Sequence, residues 1–176
     1  MRSIEIQKIS ITDLDTDAVV NAANEGLWAG GGVCGAIFRA AGRGELQAAC
    51  RAIGHCDTGS AVITPGFGLK AGCIIHAVGP VWAGGGHNEP QKLYGAYRRA
   101  LELAAENGCR SIGFPLLSAG IFGYPKEQAW RQAIQACCDF FRDREDADLR
   151  IIFAVLDDEI LAMGQKTLAE LRGGQE

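Results

Sequence analysis

Several features that would declare a protein's role outright are missing from this sequence. Positive charge is not in excess: 17 lysines and arginines face 21 aspartates and glutamates, for a formal net charge of −4. That balance argues against a broad basic face for nucleic acid. An anionic ligand would have to be held by backbone dipoles and glycine loops, not by a lysine cluster. No apolar run approaches the ~20 residues of a membrane-spanning helix, and no basic-then-apolar leader is seen. Neither a membrane span nor secretion is expected, and the cytoplasm is the expected location. Cysteine occurs seven times (Cys34, Cys50, Cys56, Cys73, Cys109, Cys137, Cys138), never as a CxxC pair or at zinc-finger spacing. An odd number, several at apolar-periodic positions, reads as reduced core thiols, with no metal site and no cofactor. Repeats, low-complexity tracts and linkers are also missing.

What remains is one domain's worth of alternating structure. The 176 residues, 48% hydrophobic and 22% charged, suit a single domain over 1–172 with a short tail at 173–176. Residues 3–9 alternate apolar and polar and predict a half-buried edge strand. Asp13, Asp15 and Asp17 follow at alternate positions but lack the glycine and glutamate of a calcium loop, so they read as a solvated turn. Asp17 is expected to tie down the loop that carries Asn24. Short buried strands are predicted at 18–22, 60–65, 73–80, 110–117 and 149–156. Helices are predicted at 33–41, 45–53, 89–107, after Pro125, and at 157–171. This order predicts an α/β fold, a three-layer α/β/α sandwich around a mixed sheet.

The stretch that organises the rest is VVNAANEGLWAGGGVCG, residues 19–35. A strand stops at Asn21 and Asn24, three glycines follow (Gly30 to Gly32), and a helix begins. Glycines let backbone approach phosphate oxygens closely, and helix N-terminal N–H groups point at them. A second loop, FPLLSAGIFGYP at 114–125, also leaves a strand and enters a helix. In open α/β sheets ligands settle at the carboxyl ends of strands, so the two loops can share one crevice. His76 lies inside an apolar strand and reads as a hydrogen-bonded core histidine, and His87 as a solvent-loop residue. His55 and Cys56 could meet Cys34 at a metal, but no matching ligand set can be assembled. Trp28 either covers a ligand or caps the fold.

NAAN, the glycine triplet, GAIFRAAG, TGSAVIT, CIIHAVGP and FPLLSAGIFGYP, in that order over roughly residues 9–160, resemble a macrodomain. The pattern is most similar to bacterial and MacroD-type enzymes, and the LLSAGIFG wording is also similar to viral and histone-associated macrodomains. The resemblance implies ADP-ribose, free or attached to protein, as the partner; a monomer is expected, and the charge balance and the lack of a long apolar run argue against nucleic acid and membrane as partners. It implies that Asn24 bonds the distal ribose hydroxyls, a task suited to an amide with both donor and acceptor. Gly31, Gly32, Val33 and Cys34 would supply backbone around the distal ribose and diphosphate. Ser118, Ala119, Gly120, Ile121 and Phe122 would wrap the diphosphate from the other side, with Phe122 against the distal ribose.

Three positions depart from that pattern. Cys34 stands where the MacroD-type sequence has an aspartate thought to orient water beside the scissile ester. A cysteine ordinarily titrates near ~8.5 and is a poor base unless its pKa is lowered, as a helix N-terminus can do. Ser10, beside Ile11, stands where an aspartate commonly reads the adenine amino group, and Leu156 where an aromatic often stacks on adenine. The adenine end is therefore expected to be held more loosely. The resemblance leaves three functions open: an ADP-ribosyl hydrolase or O-acetyl-ADP-ribose deacetylase using Asn24 and Cys34, a non-catalytic ADP-ribose reader, or an ADP-ribose 1″-phosphate phosphatase.

Overall fold

The computed structural model describes residues 2–173. Six strands form one sheet: β1 (Ser3–Lys8), β2 (Ala18–Ala22), β3 (Ala61–Pro65), β4 (Cys73–Ala77), β5 (Ser111–Phe114) and β6 (Arg150–Val155), in the order β1-β6-β5-β2-β4-β3. All neighbours are parallel except β3, which runs antiparallel to β4 at one edge. Five helices cover the sheet: α1 (Gly32–Ala41), α2 (Arg43–Ile53), α3 (Glu89–Glu106), α4 (Lys126–Asp143) and α5 (Asp158–Gly173). Each side has its own core. Ala18, Val20, Ile75 and Ile112 face α3, α4 and α5, while Val19 and Ile74 face Ile37 and Phe38 of α1 and Leu46 of α2. The alternation along β2 assigns its residues to opposite faces, which is what a strand buried on both sides requires.

The expected sandwich and mixed sheet are present, with differences at element ends. β5 stops at Phe114 because Pro115 has no N–H for the ladder, and β4 stops at Ala77 instead of running to residue 80. The closing helix runs Asp158–Gly173, two residues past its expected end at Leu171. Residues 174–176 lie outside the described part. Asp17 does not tie down the Asn24 loop. Its carbonyl accepts the Gly72 N–H (3.0 Å) and its carboxylate the Arg110 N–H (2.8 Å). It therefore joins β2 to the approaches of β4 and β5 at the amino end, a strand's length, roughly 17 Å, from Asn24.

His76 is the core histidine expected from its strand. Asn21 Nδ2 donates to Nδ1 (3.0 Å), so Nε2 carries the proton and faces Thr64 Oγ1 (2.9 Å), whose own proton reaches the Pro65 carbonyl (3.1 Å). Burial pushes the imidazole pKa down to about 4, and the ring is held neutral.

A second buried hydroxyl anchors the chain where it leaves β5. Tyr97 of α3, packed against Phe114 and Phe153, donates to the Pro115 carbonyl (3.3 Å) and accepts the Leu117 N–H (2.8 Å). Tyr97→Phe strands both backbone groups at the root of the 115–124 loop. It is expected to cost about 1–3 kcal/mol in urea unfolding. An unchanged midpoint would show that the hydroxyl contributes nothing.

Candidate functional site

The carboxyl ends of the parallel strands open into one cleft of about 860 Å³, within the usual range for a small-molecule site. The backbone after β1 brings Ile9, Ser10 and Ile11 to it, and the end of β6 brings Leu156 and Asp157. The segment after β2 brings Asn24 and Gly30 to Cys34. The segment after β5 brings Pro115 to Phe122. Three strand spacings separate β1 from β2, so the cleft runs roughly 14 Å across the sheet. All thirteen residues singled out in the sequence line this cleft: Ser10, Ile11, Asn24, Gly31, Gly32, Val33, Cys34, Ser118, Ala119, Gly120, Ile121, Phe122 and Leu156.

The Asn24 side of the cleft is knotted by its own hydrogen bonds. Asn24 Oδ1 accepts the Trp28 N–H (3.1 Å), and Nδ2 donates to the Trp28 carbonyl (3.0 Å). Cys34 enters the same knot. Its sulfur accepts the Gly30 N–H (3.4 Å) and its thiol donates to that Trp28 carbonyl (3.8 Å). Asn24 and Cys34 thus meet at one carbonyl, and the buried Cys34 thiol acts as a brace for the glycine loop. Gly35 allows the loop to lie against α1, since a Cβ there would come within 2.8 Å of the Gly30 oxygen. Gly32 turns the chain into α1 at φ 57°. The Trp28 ring lies over Gly26 and is 60% exposed.

Across the cleft, Ser118 adopts φ 65°, uncommon for a residue with a Cβ. Its carbonyl accepts the Tyr124 N–H (2.9 Å) and its hydroxyl packs against Gly79, where any side chain would collide. Ile121 is fully exposed and Phe122 half-buried. At the β1–β6 end, Ser10 Oγ pairs with Thr12 Oγ1 (3.0 Å), Leu156 is largely exposed, and Asp157 Oδ1 caps α5 by accepting the Ile160 N–H (3.0 Å).

Two charged lining residues, Lys126 and Asp157, are not among those singled out in the sequence. Among the described residues that line the cleft, Asp157 is the only carboxylate and Lys126 the only cation; none is a histidine. Lys126 stands in the first turn of α4, and its position directly after the GYP turn was the available signal. Outside the cleft, Glu25, His55 and Asp57 bring three ligand-type atoms within 4.8 Å of one another on the surface. Cys34 and Cys56 take no part in that group. A smaller cavity of about 370 Å³ beside β1 is lined by Arg2, Arg142 and Arg172. Arg2 and Arg172 spend their donors there on backbone carbonyls.

This fold, and a cleft walled by two glycine-bearing loops, coincide with one family. Residues 20–133 match the model of the Macro domain. The chain belongs to the macrodomain family. It is 49% identical over 162 residues to a macro domain-containing protein of Chlorobaculum tepidum, covering 92% of this chain and 93% of that one. It is 44% identical to the O-acetyl-ADP-ribose deacetylase of Cronobacter turicensis, covering 95% and 96% respectively. The macrodomain of Oceanobacillus iheyensis, solved with ADP, superposes with a TM-score of 0.91 at 36% identity, covering 97% of this chain and 92% of that one. No helix of this macrodomain is long and apolar enough to cross a membrane among the described residues.

Proposed function

We propose that this macrodomain binds ADP-ribose and hydrolyses its acyl esters, either O-acetyl-ADP-ribose or ADP-ribose esterified to acidic side chains of proteins. The observation that carries the reading is the single cleft in which the Asn24 loop and the 118–122 loop face each other. Its ~14 Å run suits a diphosphate with a ribose at one end and adenosine at the other. The similarity to a protein named O-acetyl-ADP-ribose deacetylase supports the ester as the bond attacked. In this reading the adenosine lies by Ser10, Ile11 and Leu156. The diphosphate lies between Gly31–Cys34 and Ser118–Phe122, where backbone N–H groups and the start of α1 meet its charge. Asn24, still with one amide hydrogen and one lone pair free of Trp28, bonds the distal ribose.

Water adds to the acyl carbonyl, the carbon–oxygen bond to ribose breaks, and the hydroxyl and carboxylic acid leave. Cys34 is not the base in this scheme, because its proton is already given to the Trp28 carbonyl. Water is instead positioned by the ligand's phosphate oxygens, and its proton ends on the departing ribose oxygen. The same thiol bond favours a second reading, a binder that turns nothing over. Seven cysteines, none in a disulfide among the described residues, suit a reducing cytoplasm.

The deciding experiment follows release of ADP-ribose from a protein modified on glutamate, and of acetate from O-acetyl-ADP-ribose. Turnover by the wild type, retained in Cys34→Ser, is expected. If only Cys34→Asp turns over, the natural protein is a reader. If calorimetry with ADP-ribose shows no heat even at millimolar ligand, both readings fail.

A further inference from the structure

Glu89, outside the cleft and at the first position of α3, has its side chain almost completely buried. Its carboxylate accepts three backbone N–H groups of the loop before it: Ala83 (2.9 Å) and Gly85 (2.8 Å) on Oε2, and His87 (2.5 Å) on Oε1. Burial alone would raise its pKa. The N–H groups outweigh it and hold the carboxyl at about 2. Gly84 and Gly85, both at φ 92°, let the loop curl around the anion, and His87 Nδ1 closes it onto the Ala83 carbonyl (3.0 Å).

Trp82 connects the curled loop to the wall of the cleft. The Trp82 N–H donates to the Phe122 carbonyl (2.8 Å), and its ring contacts Tyr124 at 4.7 Å between centroids. Gly85 packs close against that indole. Tyr124 in turn bonds the Ser118 carbonyl, and the Gly123 N–H bonds Gly120 (3.0 Å). The Phe122 end of the 118–123 loop is therefore bonded directly to the segment that Glu89 organises, and the Ser118 end is joined to it indirectly, through Tyr124 and its ring contact with Trp82. We propose that Glu89 is a positioning residue for the 118–123 wall of the cleft, acting through the 82–88 loop and Trp82. The adenosine end rests on β1 and β6 and is independent of this path.

The substitution Glu89→Gln keeps shape and volume but turns one acceptor into an N–H donor facing backbone donors. Amide hydrogen exchange tests the positioning without any ligand. Exchange of the Trp82 amide and of residues 119–123 is expected to quicken at least about tenfold, while core amides of β6 keep their protection. Uniform acceleration, or none, overturns the proposal. The ligand arm rests on the ADP-ribose reading. There ADP-ribose is expected to bind about tenfold more weakly to Glu89→Gln, while AMP binding stays within about twofold. Equal weakening of both ligands overturns the proposal. A wild type that binds neither overturns the ADP-ribose reading and leaves the exchange result to decide on Glu89. Should Glu89→Gln fail to fold, Trp82→Ala breaks the same path one step later and is held to the same two outcomes.

Discussion

Asn24→Ala is expected to weaken ADP-ribose binding by roughly 30- to 150-fold and to abolish ester hydrolysis. Two losses combine. The carboxamide clamps both backbone groups of Trp28, so removing it releases the chain between the strand end and the glycine triplet. At about 1 kcal/mol per neutral hydrogen bond, that loosening costs about 2 kcal/mol. The bond to the distal ribose is worth another ~1 kcal/mol, and 1.4 kcal/mol is tenfold in affinity. Asn24→Asp separates the two. It keeps an acceptor for the Trp28 N–H, loses the donor to the Trp28 carbonyl, and adds a negative charge near the diphosphate. Calorimetric titration with ADP-ribose, beside urea unfolding of each variant, measures both parts. Binding by Asn24→Ala within about twofold of wild type would remove Asn24 from the site.

Acid is expected to destabilise the protein well above the pH at which its carboxylates titrate, and His76 is the cause. In the unfolded chain the imidazole takes up a proton near its ordinary value of 6.5, while in the fold burial holds it at about 4. Between those limits the unfolded state binds the extra proton. Stability from the neutral ring is therefore complete above about pH 6.5, falls as pH drops towards 4, and is level below. A depression of that size corresponds to about 3 kcal/mol in all. Glu5 and Glu89, whose pKa values are lowered, add losses only below about pH 4.5. Urea unfolding at about pH 7 and about pH 5 isolates the His76 part. His76→Gln should flatten that interval even if it lowers stability throughout. An unchanged slope in His76→Gln would mean some other group carries the proton.

Much of the candidate site could be read from the chain because it is local. Strand, amide, glycines and helix start follow one another between residues 19 and 35, and strand–loop–helix repeats at 114–125. Turn chemistry and period act over a few residues, so such segments announce themselves. The charged cleft residues missed in the sequence belong to no such segment. Lys126 was outside the glycine loop, and Asp157 was read only as the start of a helix. The misplacement of Asp17 has the same root: nearness in sequence suggested the Asn24 loop, whereas its partners Gly72 and Arg110 lie on other segments.

The sequence by itself determined the layers, the core alternation along β2, and the two loops at strand ends, since each follows from residue type and spacing. The tertiary structure decided what those groups do to one another. Cys34 could be read as a candidate base at a helix start. Only the folded loop shows its thiol joined to the same Trp28 carbonyl as Asn24, because hydrogen-bond partners are chosen by backbone path and not by composition. Glu89 looked like the first residue of an amphipathic helix. Only the curl of residues 83–87 around its carboxylate, and the bond from Trp82 to Phe122, connect it to the cleft. Contacts made by backbone N–H groups carry no side-chain signature, and that is why the sequence could not show them.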